Sequence, residues 1–187
     1  MAVTYILDQS YTLYSTSGYN QIRYNATICW QRVAPFVPSV TANIGKITLR
    51  VCKIDYPTGN VWVKICSDAN CTVVVATSDN VDVSTLSTNT TDGAEKDFIF
   101  TNTASLSNGI TYYIKFDGDY PVSSTKHAAG FYKVVASGGT WGYFDCTTLN
   151  TYTTLLGYYK EYYIQSSAKK YMPWFLRGPD FRNGANR

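Results

Sequence analysis

Short alternations of apolar and polar residues, separated by turn-forming residues, recur through the middle of the chain, and no stretch there has helical periodicity. In one such unit the turn Asp55–Asn60 is followed by the alternating segment Val61–Ile65. Because successive side chains of a strand point to opposite faces, Val61, Val63 and Ile65 are predicted to share one buried face. The turn is expected to join two paired strands. The repeated unit predicts an antiparallel β-protein.

Composition supports this fold class. The chain has 187 residues, of which 45% are hydrophobic, so it is long enough for one well-buried core and short for two. It contains 17 Tyr and only two Met, and Tyr favours strands whereas Met favours helices. We predict an all-β, two-sheet antiparallel sandwich of jelly-roll type with extended N- and C-terminal arms. Strands are expected near residues 46–54, 61–66, 72–77, 97–101, 111–117, 130–136, 141–145 and 157–164.

The pattern divides the chain into three parts. Residues 1–43 are predicted to form N-terminal strands and an arm, residues 44–164 the sandwich, and residues 165–187 a basic aromatic C-terminal arm. The segment Ala34–Ser39 contains two prolines, which fits a connection or a sheet edge.

Charge is distributed unevenly. Through Tyr159 there are 10 Lys and Arg against 11 Asp and Glu, whereas from Lys160 onward there are 6 against 2. A near-neutral body argues against nucleic-acid binding, which needs a cationic face. No apolar run is long enough for a membrane span, and the first residues lack the pattern of a signal peptide, which predicts synthesis in a cytosol.

The C-terminal segment from Lys169 to Arg187 is too apolar for a solvated tail. Large apolar residues within it are flanked by basic ones, and two prolines disfavour a regular helix or central strand. We predict an assembly arm that docks on another chain; the alternative is that the segment folds back on its own sandwich. The residues expected to carry the docking are Lys169, Lys170, Met172, Trp174, Phe175, Leu176, Arg177 and Arg182.

Residues suited to catalysis are scarce. The single histidine, His127, is predicted to lie in a polar loop, and no nucleophile or zinc-protease motif is present, so no enzyme activity is predicted. Asp117 and Asp119 lie two residues apart among turn formers, where a role in capping a turn is the plain interpretation. The same two residues are the candidate ligands for calcium, and no other cofactor is predicted.

Five cysteines leave at least one unpaired. Cys66 and Cys71 flank a four-residue turn that brings two strand ends within disulfide distance, so they are a candidate disulfide after release into an oxidising medium. The alternative is that both stay reduced. Cys29, Cys52 and Cys146 are predicted to be buried thiols.

Aromatic residues are the strongest candidates for binding. Trp62 alternates with the apolar residues of its strand and is expected to face away from them. Trp141 and Tyr143 lie on a later strand. Exposed rings stack on sugar faces or fill subunit interfaces, whereas buried rings pack in the core, and both roles remain open for these three.

The middle of the chain resembles a recurring jelly-roll module, the carbohydrate-binding-like β-sandwich of bacterial surface proteins and tailed-phage structural proteins. The resemblance covers roughly residues 44 to 145 and implies a fold and a binding or assembly role, without any functional residue. It is carried by the segments Ile44–Leu49, Pro57–Ile65, Val75–Ser78, Phe98–Phe100 and Leu106–Ile114.

The resemblance and the composition together suggest a non-enzymatic virion structural protein, made in the host cytoplasm and acting as a capsid decoration, fibre or tail-associated subunit. Its expected partners are further copies of itself and other virion proteins, with a cell-surface glycan as a further candidate and neither nucleic acid nor membrane. The alternative is a carbohydrate-binding module or surface adhesin, located outside the cell or on its surface. A hydrolase is the weakest hypothesis.

Overall fold

The computed structural model describes residues 3–12, 19–22, 30–119, 127–134, 141–145, 148–152 and 155–165, and the surroundings of side chains within 3–12, 34–119, 128 and 158–165. Strands make up most of the described residues, far above the usual share of roughly a quarter, so the predicted all-β class is confirmed. The described ranges contain no helix long and apolar enough to cross a membrane. The strands are β1 Thr4–Tyr11, β2 Tyr19–Ile22, β3 Trp30–Phe36, β4 Ala42–Ile54, β5 Asn60–Cys66, β6 Val74–Thr77, β7 Val81–Asp82, β8 Ala94–Ile99, β9 Ser105–Leu106, β10 Tyr112–Gly118, β11 His127–Val134, β12 Trp141–Asp145, β13 Thr148–Tyr152, β14 Leu155–Gly157 and β15 Tyr159–Gln165.

The strands form two antiparallel sheets that pack face to face, which confirms the predicted sandwich. The first sheet has the order β1-β15-β4-β11-β14, with β2 paired to β11 and with β8 and β9 paired to β4. The second sheet has the order β13-β12-β3-β10-β5-β6, with β7 paired to β5. The jelly-roll connectivity remains a prediction.

The long strand β4 organises the first sheet. One of its edges pairs with β8, where Thr48 lies opposite Asp97. The other edge is shared by two strands: β15 covers the first half, with Leu49 opposite Tyr159, and β11 covers the end. Four partner strands, β8, β9, β11 and β15, anchor the 13 residues of β4 on both edges.

The core lies between the two sheets, and the inward-facing apolar side chains of both sheets fill it. Aromatic rings from opposite sheets meet there: Phe98 of β8 lies with its centroid 5.4 Å from that of Phe116 of β10, at an interplanar angle of 64°. Such an edge-to-face pair contributes about 0.5–1.5 kcal/mol beyond its buried area. Phe36 and Tyr159 also meet across the core, with their centroids 6.3 Å apart. The other inward side chains include Ile47, Leu49, Val51, Val61, Val63, Ile65, Leu106 and Ile114.

The turn Asp55–Asn60 corrects one expectation. Val61, Val63 and Ile65 are completely buried, as predicted. However, the turn does not join paired strands, because β4 belongs to the first sheet and β5 to the second. In a sandwich both strands can direct their apolar side chains into one core while facing each other across it, so alternation alone does not reveal sheet membership.

The described N-terminal strands are part of both sheets. β1 and β2 extend the first sheet, and β3 lies in the second between β12 and β10. Pro35 stands within β3, opposite Tyr113 of β10, and in the described residues the ladder between β12 and β3 extends from Trp30 to Val33. Within the described residues Pro35 therefore lies beyond that ladder, where proline's missing N–H leaves no bond to β12 unmade.

Candidate binding surfaces

One end of the sandwich gathers exposed apolar side chains. It is the end at which β3 and β15 finish and β4 and β10 begin. Eight large apolar side chains are more than a third exposed among the described residues, and six of them lie at this end, between 38% and 57% exposed. We call these six the apolar end: Val3, Val37, Val40, Val73, Val74 and Ile110.

Hydrogen bonds between two loops hold part of the apolar end together. The N–H of Gly109 donates to the carbonyl of Pro38 at 3.0 Å, and the N–H of Asn108 donates to Oγ1 of Thr41 at 3.0 Å. Gly109 has a φ of 76°, a conformation that favours glycine. The bonds place the loop that carries Val37 and Val40 beside the loop that carries Ile110, so these apolar residues are neighbours.

An open pocket of about 380 Å³ adjoins the apolar end. Its walls come from the start of β4, from β9 and from the last residues of β15. The described chain ends in this wall, at Gln165, and 22 further residues follow it in the sequence. The lining residues are Thr41, Ala42, Asn43, Ser105, Tyr163, Ile164 and Gln165.

The predicted assembly arm lies outside the described residues. This applies to every residue expected to carry the docking, namely Lys169, Lys170, Met172, Trp174, Phe175, Leu176, Arg177 and Arg182. The described residues end at Gln165, which β15 brings to the pocket beside the apolar end, four residues before Lys169.

The outer face of the first sheet, which points away from the core, combines charged and tyrosine side chains. Lys46 binds Asp97 at 2.8 Å, and its ammonium lies 4.4 Å from the centroid of the Tyr162 ring and 5.5 Å from that of Tyr5. Thr48 donates a second hydrogen bond to Asp97. Partial burial alone would raise the pKa of Asp97, but the bonds from Lys46 and Thr48 outweigh it and lower that pKa.

A second cluster lies beside the first on the same face. Lys160 of β15 donates to both carboxylate oxygens of Glu95 of β8, at 2.8 and 2.9 Å, and the Tyr158 hydroxyl donates to the same carboxylate. The bond from Lys160 lowers the pKa of Glu95, and the bond to Glu95 raises that of Lys160. The carboxylates of Glu95 and Asp97 are 41% and 46% exposed, so a ligand can still reach them.

The three aromatic residues proposed for ligand binding are only partly placed. Trp62 is half-buried on the outer face of the second sheet, opposite in direction to Val61 and Val63 as expected, and the ammonium of Lys64 lies 5.7 Å from its ring centroid. Trp141 and Tyr143 lie on β12, and their side chains are outside the described part of the chain.

The two carboxylates predicted as calcium ligands already bind donor groups of the protein. Asp117 pairs with Lys64 at 3.2 Å on the outer face of the second sheet, and Asp119 accepts a bond from the N–H of Asn60 at 2.6 Å. Within the described ranges no three His, Cys, Asp or Glu side chains come together as a metal site requires. His127 is the first residue of β11 rather than part of a loop.

Two groups of interest were not predicted from the sequence. Glu161 on β15 is only 2% exposed, although glutamate side chains are rarely buried in proteins. It lies against Asp8 of β1. Lys160 and Tyr162 lie on the outer face, so the alternation of side chains along β15 predicts that Glu161 points inward. The apolar end is built from single residues of loops and of one strand end, which no periodicity connects.

The chain matches no protein-family model, and no curated protein matches it either.

Proposed function

We propose that the protein is a non-enzymatic structural protein of a virion, a capsid decoration, fibre or tail-associated subunit, which assembles by docking the C-terminal arm of one copy at the apolar end of another. The observation that carries the proposal is the gathering of six exposed apolar side chains at one end, beside an open pocket. The arm supplies matching chemistry, since Met172, Trp174, Phe175 and Leu176 are large and apolar. Burying two such rings recovers roughly 3–6 kcal/mol.

The position of Gln165 allows docking between copies. Gln165 lines the pocket, and Trp174 follows nine residues later. A fully extended segment of that length spans about 30 Å, which is enough to leave the sandwich and reach a facing copy. To reach the pocket of its own sandwich, the same segment must reverse direction within those residues.

The virion setting is supported by the resemblance to tailed-phage structural proteins and by the composition of the chain. It is tested by the genes on either side: a cluster of capsid and tail genes supports it, and a cluster of polysaccharide-degrading enzymes contradicts it.

The assembly is tested by light scattering coupled to size-exclusion chromatography. We expect the full chain to form a defined oligomer and a chain ending at Gln165 to be monomeric with an unchanged melting temperature. Val40→Ser combined with Ile110→Ser should weaken the oligomer, whereas Tyr56→Ser, at the opposite end and 82% exposed, should not. A monomeric full chain, or a truncated chain that assembles normally, contradicts docking between copies. A truncated monomer that merely melts earlier indicates that the arm folds on its own sandwich.

The second candidate function is a carbohydrate-binding module, which the outer face of the first sheet favours. Half-buried Tyr5 and Tyr162 offer ring surface, and the exposed carboxylates of Glu95 and Asp97 can accept hydrogen bonds from sugar hydroxyls. A glycan array tests this function. Binding that is lost in Asp97→Ala and Tyr162→Ala, and kept in Tyr56→Ser, supports it; an array without signal contradicts it.

A further inference from the structure

The loop between β5 and β6 holds two thiols against each other. Cys66 is the last residue of β5 and completely buried, and Cys71 is 8% exposed. Both thiols are unbonded, and a hydrogen bond joins their side chains. Tyr113 packs against the pair. The arrangement is independent of the proposed arm and of the outer face.

The backbone of this loop fixes the two sulfurs in place. The carboxylate of Asp68 accepts the N–H groups of Thr72 at 3.1 Å and Val73 at 2.8 Å, and the N–H of Cys71 donates to the carbonyl of Asp68 at 3.0 Å. Cys71 has a φ of 51°, which is uncommon for a residue other than glycine, and its side chain packs with that of Cys66. Two cysteines held in contact across a short loop need little backbone movement to bond.

The surroundings make the two thiols unequal. The hydrogen bond from Cys71 is the main cause of the lowered pKa of Cys66, and the positive charges of Lys115 and Lys64 act in the same direction. The same hydrogen bond raises the pKa of Cys71. By contrast, burial without any partner raises the pKa of Cys52 to about 11. We therefore expect Cys66 to react first, and Cys52 is an internal control.

We propose that Cys66 and Cys71 are a redox-modification site, which forms a reversible intramolecular disulfide by exchange with a small-molecule disulfide. The Cys66 thiolate attacks one sulfur of oxidised glutathione, which forms a mixed disulfide and releases one glutathione thiolate. Cys71 then loses its proton to solvent and attacks the Cys66 sulfur, which releases the second glutathione. The cysteine pair gives up two electrons, and oxidised glutathione gains them.

The order of the two steps follows from the same contacts. Cys71 is hard to ionise while Cys66 carries a negative charge, and formation of the mixed disulfide removes that charge. Because both sulfurs are buried, the first step requires the loop 67–72 to open, and we expect slower exchange than at an exposed thiol.

Peptide mapping tests the proposal on the full chain. Trypsin releases Cys66 and Cys71 together in the peptide 65–96, and each of the other three cysteines falls in a different peptide. The protein is equilibrated in a glutathione buffer as oxidising as that of a secretory compartment, unfolded, alkylated and digested. We expect the peptide 65–96 to carry no alkyl group and to weigh about 2 Da less than its reduced form, while Cys52 is alkylated.

Single substitutions test the assigned roles. In Cys71→Ser the mixed disulfide on Cys66 has no resolving thiol, so glutathione should remain on Cys66 at about ten times the level found on Cys52. Cys52→Ser should leave the pair unchanged. Two alkyl groups on the peptide 65–96 of the wild-type protein overturn the proposal, as does a bond from that peptide to another cysteine peptide. Since the decisive result comes from the wild-type chain, a substitution that prevents folding does not weaken the test.

Discussion

Replacement of Glu161 by Gln should make the protein more stable at alkaline pH. Burial is the main reason that the pKa of Glu161 rises from 4.5 to about 8, and the negative charge of Asp8 adds to it. One carboxyl oxygen, Oε2, has no hydrogen-bond partner within the described residues. The folded protein therefore binds a proton here over a pH range in which the unfolded chain has released it.

The sign of the pH dependence follows from this difference. A carboxyl whose pKa is higher in the folded state reduces stability as pH rises from the unfolded pKa to the folded one, and the loss is complete above the folded pKa. From 4.5 to about 8, at about 1.4 kcal/mol per pH unit, the total loss is about 5 kcal/mol. Between pH 5 and pH 8 the part contributed by Glu161 is about 3–4 kcal/mol. Gln has the same shape and does not titrate.

Urea unfolding of both proteins at pH 5 and pH 8 measures the effect. Groups that do not contact Glu161 contribute equally to the wild type and Glu161→Gln. The difference in unfolding free energy between the two proteins should therefore shift in favour of the variant by about 3–4 kcal/mol between the two pH values. Glu95→Gln is the matched control. The pKa of Glu95 is lowered, chiefly by Lys160, so the contribution of Glu95 to stability is lost only as pH falls below about 5. The difference in unfolding free energy between the wild type and Glu95→Gln should therefore stay nearly constant from pH 5 to pH 8. A wild-type to Glu161→Gln difference that is independent of pH would refute the reasoning.

Three further substitutions test the packing, all measured by urea unfolding. Val63→Asp places an unpaired charge in the completely buried core and should cost more than 3 kcal/mol; unchanged stability would mean that the register is inverted. Gly45→Ala should cost about 1–3 kcal/mol because its new Cβ would lie 2.7 Å from Cγ1 of Ile164; no loss would show that this side chain moves freely. Lys160→Ala removes an exposed ion pair with Glu95 and should cost under about 1 kcal/mol, with a smaller loss at high salt; a larger cost would show that the pair is not screened by solvent.

Alternation predicted most of the strands, because a strand in a sandwich buries every second side chain whatever its partner. The segments predicted near 46–54, 61–66, 111–117 and 141–145 correspond to β4, β5, β10 and β12. The strand β13 was missed, since Thr148–Tyr152 has no apolar alternation that distinguishes it from a loop.

Sheet membership could not be predicted in the same way. The turn Asp55–Asn60 contains Pro and Gly, which signal a reversal of direction. A reversal within one sheet and a crossing between two sheets use the same turn residues and the same burial pattern, since both leave Val61 and Val63 in the core. The choice depends on which distant strands are available as partners, and here β8, β15 and β11 already cover both edges of β4.

The buried acid shows why a local pattern also misses candidate sites. The register between β1 and β15 shifts between Leu7 and Gln9, so Asp8 falls at an irregularity instead of in the regular alternation. There the carboxylate of Asp8 accepts bonds from the N–H and hydroxyl of Ser39, in the connection between β3 and β4, and it also faces Glu161. Burial and the residues of β1, which are far from Glu161 in sequence, therefore set the pKa of this side chain, and no single segment contains that information. The alternation identifies Glu161 as inward-facing, and only the register of β1 supplies the charge beside it.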